Sequence, residues 1–211
     1  MQPNGAERVS YEDYLKGVLI KLDRAGFEIE RNIKIGNYDV DVFAISPTFE
    51  PSPGFMYDSL ELLLGKHPYR LAIIVARMPA VTIETIDDYS KATYDYAYPK
   101  IAKSNFFHRI VFPVIASEKF AEDVKSHVVA YEGIRRRFPG GDLTRPVLVE
   151  LDTKQSYSNS SENFSGYRLR IIANKAVEKY LPFSNSKSEL KDSSSRSAED
   201  VPGTSAPNHP R

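Results

Sequence analysis

The dipeptide Gly36-Asn37 narrows what this chain can fold into more than any other feature. It sits between two runs in which apolar and polar residues alternate, and a two-residue turn of this chemistry joins antiparallel strands into a hairpin. The first run, Phe27 to Ile35, carries Phe27, Ile29, Ile33 and Ile35 with one irregular step at Glu30. The second, Tyr38-Asp39-Val40-Asp41-Val42-Phe43-Ala44-Ile45, alternates strictly and places Asp39 and Asp41 on one side. Phe43 and Ile45 continue that side, so a fully solvated face is not expected. Two carboxylates two residues apart on a rigid strand can share a divalent metal; the alternative is that both lie on the solvent side of an edge strand.

A second run, Tyr69-Arg70-Leu71-Ala72-Ile73-Ile74-Val75-Ala76-Arg77, is short, almost wholly apolar and rich in β-branched residues. It reads as a buried strand that ends at a cation, Arg77. Upstream, Ser10-Tyr11-Glu12-Asp13 has the form of a helix start, with Ser10 as N-cap and Asp13 in the first turn. Leu15, Val18, Leu19, Leu22 and Ala25 follow at helical spacing until Gly26 stops the helix. Glu12 is in line with Leu15 and Leu19 and so is expected to point toward the sheet; a first-turn acid favoured by the helix dipole is the alternative.

Ser46 to Pro53 is a loop, and Met56 to Leu64 is expected to form a short helix closed by Gly65. Thr85-Ile86-Asp87-Asp88 repeats the cap-x-x-acid signature, and the helix it opens carries Tyr89, Tyr94 and Tyr96 before Pro99 ends it just beyond Ala97 and Tyr98. Ile110 to Ala116 is another apolar strand, and Ser117 is expected to cap a helix with the stripe Phe120, Val124, Val128 and Tyr131. Arg135-Arg136-Arg137 and Pro139-Gly140-Gly141 read as a basic turn. Val147 to Leu151 and Gly166 to Ala173 read as two strands of a C-terminal β-hairpin across a Ser- and Asn-rich linker. Strands alternating with helices predict an α/β class with a central mixed β-sheet flanked by helices. The expected organisation is a single α/β domain over residues 1–183, then a disordered Ser- and Pro-rich tail over 184–211, which lacks the apolar residues to offset its ordering entropy.

Composition removes several function classes. Lys+Arg and Asp+Glu are both 28, which argues against a binder that works through bulk positive charge but leaves room for a local basic groove. With no cysteine, disulfides, thiol catalysis and cysteine-based zinc sites are excluded. The absence of an apolar leader and of any bilayer-length apolar run predicts a soluble, cytoplasmic protein with no membrane partner. His67, His108, His127 and His209 have no metal-ligand spacing, and no phosphate loop, dinucleotide glycine motif or nucleophile elbow is present.

An N-terminal helix carrying Glu12, the acidic strand with Asp39 and Asp41, and the buried strand ending at Arg77 together resemble the core of the PD-(D/E)xK, or restriction-endonuclease-like, superfamily. The apolar strand that runs straight into the Ser117 segment resembles a later part of that fold. The resemblance, which covers Ser10 to Val129, implies a strand aspartate and a second acid on the following strand that hold Mg²⁺, a lysine two residues further on, and an assisting helix glutamate. Asp41, or Asp39 in the other register, matches the strand aspartate, and Glu12 matches the helix glutamate. The positions for acid-x-lysine are Val75-Ala76-Arg77. Valine cannot ligate a metal, and arginine supplies lysine's charge without its proton chemistry. The expected site is therefore degenerate, with Glu12, Asp39, Asp41 and Arg77 as its residues and no cofactor required. An active Mg²⁺-dependent nuclease would need an acid supplied from elsewhere, and Glu84, Asp87 or Asp88 are candidates; helix capping is the simpler role for the last two.

A second constellation points to nucleic acid. Lys91, Lys100, Lys103, His108 and Arg109 alternate with Tyr94, Tyr96, Tyr98, Phe106 and Phe107, and Asp95 is the sole acid among them. Cations that meet phosphates beside rings that stack on bases suit DNA or RNA. Lys100, Lys103, Arg109, Arg135, Arg136 and Arg137 are the expected contacts; a packed aromatic core with a solvated cationic face is the alternative. The leading expectation is a nucleic-acid-binding or assembly protein without efficient catalysis, with a protein-interaction module as a further alternative.

Overall fold

The computed structural model describes residues 9–49, 68–101, 108–136, 141–161 and 167–183, of which 134–136 and 167–168 are described by backbone alone. The 56–64 helix, Lys103, Arg137 and the 184–211 tail lie outside these residues.

Helix α1 (Tyr11–Arg24) starts where expected. The Ser10 Oγ accepts the Asp13 N–H at 3.1 Å and donates to the Asp13 carboxylate at 2.8 Å. Its buried stripe is rotated from the expected one, however: Tyr11, Tyr14, Val18 and Leu22 face the core, while Leu15 and Leu19 are only half-buried and Glu12 is exposed. The tyrosines win these places because their large rings bury more apolar surface than a leucine, and the Tyr11 hydroxyl also reaches Asp41 on the sheet.

The hairpin follows as β1 (Glu28–Ile35) and β2 (Tyr38–Ile45), with Ile35 opposite Tyr38 and Gly36 at φ 58°, a backbone that glycine enters without strain. Its alternation is not uninterrupted. Val40 packs on one face of the sheet with Phe43 and Ile45, whereas Val42 and Ala44 pack on the other. The change falls at Asp41, and the unpaired residue opposite it, Asn32, has φ 53°. Phe43 and Ile45 thus do not continue the face of the two aspartates, which is a correction to the strict alternation read from sequence.

Strand β3 (Tyr69–Arg77) pairs antiparallel with β2, Val42 opposite Val75. Helix α2 (Ile83–Ile101) then crosses over to β4 (His108–Ser117), which runs parallel to β3 with Arg77 beside Ala116. Three boundaries differ from expectation. The Thr82 hydroxyl, not Thr85, accepts at the start of α2, from the Thr85 N–H at 3.2 Å. The helix also passes through Pro99 to Ile101. Ser117 ends β4 rather than capping a helix, because α3 (Glu122–Ala130) begins after Ala121 without a side-chain cap.

The last strands are β5 (Ile134–Arg136), β6 (Gly141–Thr144), β7 (Val147–Glu150) and β8 (Gln155–Tyr157). Arg135 and Arg136 lie in a strand and not in a turn. The long β4 serves two parallel partners in succession, β6 along its first half and β7 along its second. The sheet order is β1-β2-β3-β4-β6-β5, with β8 beside β7. A Cβ on Gly133 would stand 1.9 Å from the Thr144 carbonyl oxygen, so this close approach of the chain to the end of β6 requires glycine.

The described part of the Gly166 to Ala173 run is not a strand. It belongs to helix α4 (Tyr167–Tyr180), and the hairpin at this end is β7–β8 instead. Leu169, Ala173, Ala176, Val177 and Tyr180 form one helical stripe buried in the same core as α1. A Cβ on Gly17 of α1 would lie 3.3 Å from Pro182, and the Tyr14 and Phe183 rings stack at 5.8 Å. The outcome is an α/β protein whose mixed sheet is flanked by α1 and α4 on one face and by α2 and α3 on the other. No helix among the described residues is long and apolar enough to cross a membrane.

Candidate functional site

The topology brings three chain segments to one end of the sheet. Parallel pairing sets the carboxyl ends of β3 and β4 side by side, antiparallel pairing brings Asp41 of β2 next to the end of β3, and the first residues of α1 lie over them. The carboxyl ends of parallel strands are where α/β sheets usually hold ligands.

Asp41 is half-buried, and its Oδ2 accepts the Tyr11 hydroxyl at 2.6 Å and the Arg77 backbone N–H at 3.3 Å. The Tyr11 phenol is pushed far above its ordinary value, first by burial, then by donating to and standing beside the Asp41 carboxylate. It is therefore a neutral donor at physiological pH. The Arg77 guanidinium crosses the Tyr11 ring at 5.5 Å and pairs with Glu118 at 2.5 Å. Its side chain and that of Glu118 are 46% and 49% exposed, so the pair sits open to solvent. The hydrogen bond to Glu118, and then its charge, raise Arg77, with a smaller contribution from Glu12; the same contact lowers Glu118.

Three of the expected site residues, Glu12, Asp41 and Arg77, are thus brought into one neighbourhood, Glu12 acting on Arg77 through its charge. Asp39 is exposed, opposite Lys34 on β1. Val75, at the position where the resemblance implies an acid, is fully buried in the core beneath α1. Of the acids considered as replacements, Asp87 pairs with His127 at 2.9 Å, which ties α2 to α3; Glu84 accepts from Thr82 in the first turn of α2, and Asp88 is exposed. Among the described residues, no three His, Asp or Glu side chains converge so as to hold a metal ion.

Glu118 was not foreseen. The signal was present: two apolar strands joined by a crossover helix are parallel neighbours, so Arg77 at the end of one and Glu118 just past the end of the other come together. Nearby, Glu150 at the end of β7 is buried. It accepts the Phe120 N–H at 3.1 Å and the Thr153 hydroxyl at 2.6 Å and pairs with Lys125 at 3.0 Å. This carboxylate organises the turns beside the site.

The expected nucleic-acid contacts are dispersed. Arg109 is 1% exposed, with its Nε 2.6 Å from Asp142, which also accepts the Tyr94 hydroxyl at 2.9 Å. The guanidinium also lies against the Tyr98 ring at 4.7 Å. Arg109 is thus a core ion pair that locks β4 to β6 and is no contact for a phosphate, a correction to the expected groove. Lys100 pairs with Glu30 at 3.0 Å and lies over the Tyr96 and Phe43 rings at 4.3 and 4.8 Å, so it fastens α2 across to β1. Arg135 and Arg136 lie on the edge strand β5. Comparison with protein-family models, curated proteins and solved structures returns no match to this chain.

Proposed function

We propose that the chain is a nucleic-acid-binding or assembly component built on a restriction-endonuclease-like core whose catalytic machinery has degenerated. The observation that carries this is the linked set Tyr11–Asp41–Arg77–Glu118. The aspartate that would ligate metal accepts a phenol and a backbone N–H through one oxygen, and the cation that would face a phosphodiester faces a carboxylate. The order of elements agrees with the nuclease-like reading. A helix with Glu12 precedes a hairpin whose second strand carries Asp41, then a buried strand ends at Arg77, and a helix leads to a second apolar strand parallel to it. Mg²⁺ is not required for this role. Were the protein an active nuclease, Asp41 and Asp39 would supply carboxylates and the metal would activate water, but Val75 contributes no ligand.

The deciding experiment measures binding and cleavage together. Labelled single- and double-stranded oligonucleotides are titrated with purified protein over a salt series, with and without Mg²⁺ or Mn²⁺. Salt-sensitive binding without cleavage is expected, since phosphate contact releases counterions. Metal-dependent cleavage abolished by Asp41→Ala overturns the degenerate-site reading. The burial of Arg109 and the pairing of Lys100 favour a second reading, a protein-interaction module, and absence of binding even at low salt would put it first.

A further inference from the structure

We propose that Glu118 is an internal stand-in for phosphate on Arg77, a carboxylate that nucleic acid must displace to use this end of the sheet; the inference rests on the nucleic-acid reading above. Arg77 is the sole cation in the linked set, and three carboxylates surround it. Glu118 pairs with its guanidinium, Asp41 takes its backbone N–H, and the charge of Glu12 acts on it. An approaching phosphate therefore meets repulsion from Glu12 and Asp41 as well as a guanidinium whose Nη2 already donates to Glu118. Glu118 is the displaceable member. Asp41 is fixed by Tyr11 across α1 and β2, whereas Glu118 lies past the end of β4 and is half exposed. An exposed ion pair is weak enough to exchange partners, and a phosphodiester, though tetrahedral where a carboxylate is planar, also offers arginine anionic acceptor oxygens. The Tyr11 ring under Arg77 keeps the guanidinium in place when Glu118 leaves, because the ring attracts the cation whichever anion it holds.

The test is fluorescence anisotropy of a labelled oligonucleotide at low salt with the full chain and four variants. Glu118→Gln keeps the shape of the side chain and removes its charge, and it should tighten binding about two- to fivefold. Glu122→Gln removes an exposed acid on α3 and controls for net charge; it should change affinity less. Arg77→Gln should weaken binding, and Arg77→Gln in the Glu118→Gln background should erase the gain. If the full chain binds but Glu118→Gln binds no better, or gains no more than Glu122→Gln, the stand-in role is overturned while the binding function survives. A gain that persists without Arg77 overturns it equally. If neither the natural chain nor Glu118→Gln binds, the nucleic-acid reading itself fails and the inference falls with it.

Discussion

The Tyr11 hydroxyl meets the Asp41 carboxylate at 2.6 Å across a sequence separation of 30, and this bond fixes the start of α1 to the middle of β2. A hydrogen bond to a charged acceptor contributes about 1.5–3 kcal/mol. Tyr11→Phe should therefore lower stability in urea denaturation by roughly that amount. Asp41→Asn should reproduce most of the loss. If Tyr11→Phe leaves the denaturation midpoint unchanged, the carboxylate finds an equivalent donor and the bond does not organise the site.

Stability should fall at alkaline pH for a reason visible in three tyrosines. Burial raises Tyr14 and Tyr89 above the ordinary tyrosine value, and Tyr11 is raised by burial and by Asp41. Below about pH 10 both folded and unfolded chains hold these protons, so the contribution is complete there. Above it the unfolded chain ionises first, and stability drops by up to about 1.4 kcal/mol per pH unit for each fully buried phenol. Among the described residues the buried Tyr14 hydroxyl has no hydrogen-bond partner, so Tyr14→Phe should leave stability at neutral pH equal or higher and make the alkaline slope shallower. An unchanged slope in that variant would show that Tyr14 ionises in the folded protein.

Placing an acid where the nuclease pattern implies one should damage the fold before it builds a site. Val75 is fully buried, opposite Val42 on β2 and beside Val114 on β4. Val75→Glu forces an unpaired carboxyl into that layer at a cost of several kcal/mol, and Arg77→Lys alongside it does not supply a buried partner. Thermal unfolding of Val75→Glu/Arg77→Lys should show a large drop in Tm. A stable double variant that cleaves DNA with Mg²⁺ would mean that the strand end opens readily to solvent.

Asp142 should be among the most sensitive acids in the chain. Removing it strands the buried Arg109 guanidinium and leaves the Tyr94 hydroxyl without its acceptor. Asp142→Ala is expected to cost about 3–5 kcal/mol, whereas Arg109→Met with Asp142→Leu should recover much of the loss, since packed apolar pairs often match buried ion pairs. Chemical denaturation of the three proteins checks the order.

Local signals were legible where one residue decided the backbone. Ser10 set the start of α1, and Gly36 set the hairpin turn. The Gly166 to Ala173 run misled because Tyr167, Leu169 and Ile171 alternate with Arg168 and Arg170; the helical stripe emerges only when the window extends to Ala176, Val177 and Tyr180. Arg109 looked like a surface cation because its partner is 33 residues away and arrives only through the parallel pairing of β4 with β6. Of the site, Glu12, Asp41 and Arg77 could be read from single strands and a helix. Glu118 is reached only by combining two strands with their crossover, since its neighbour is defined by topology rather than by spacing. The turnover of the hydrophobic face at Asp41 was hidden because it needs the left-handed Asn32 on the partner strand.

The docking of α4 against α1 also sets a timetable for the nascent chain. Phe27 meets Tyr180 edge-on at 5.0 Å, and Pro182 crowds the space beside Gly17 that a Cβ would occupy, so the layer that α1 begins is closed by residues near the far end of the described chain. At about 5–20 residues per second, roughly 10–30 s of synthesis pass between the emergence of α1 and that of α4. During that interval Val18 and Leu22 lack the cover that α4 gives them in the finished fold.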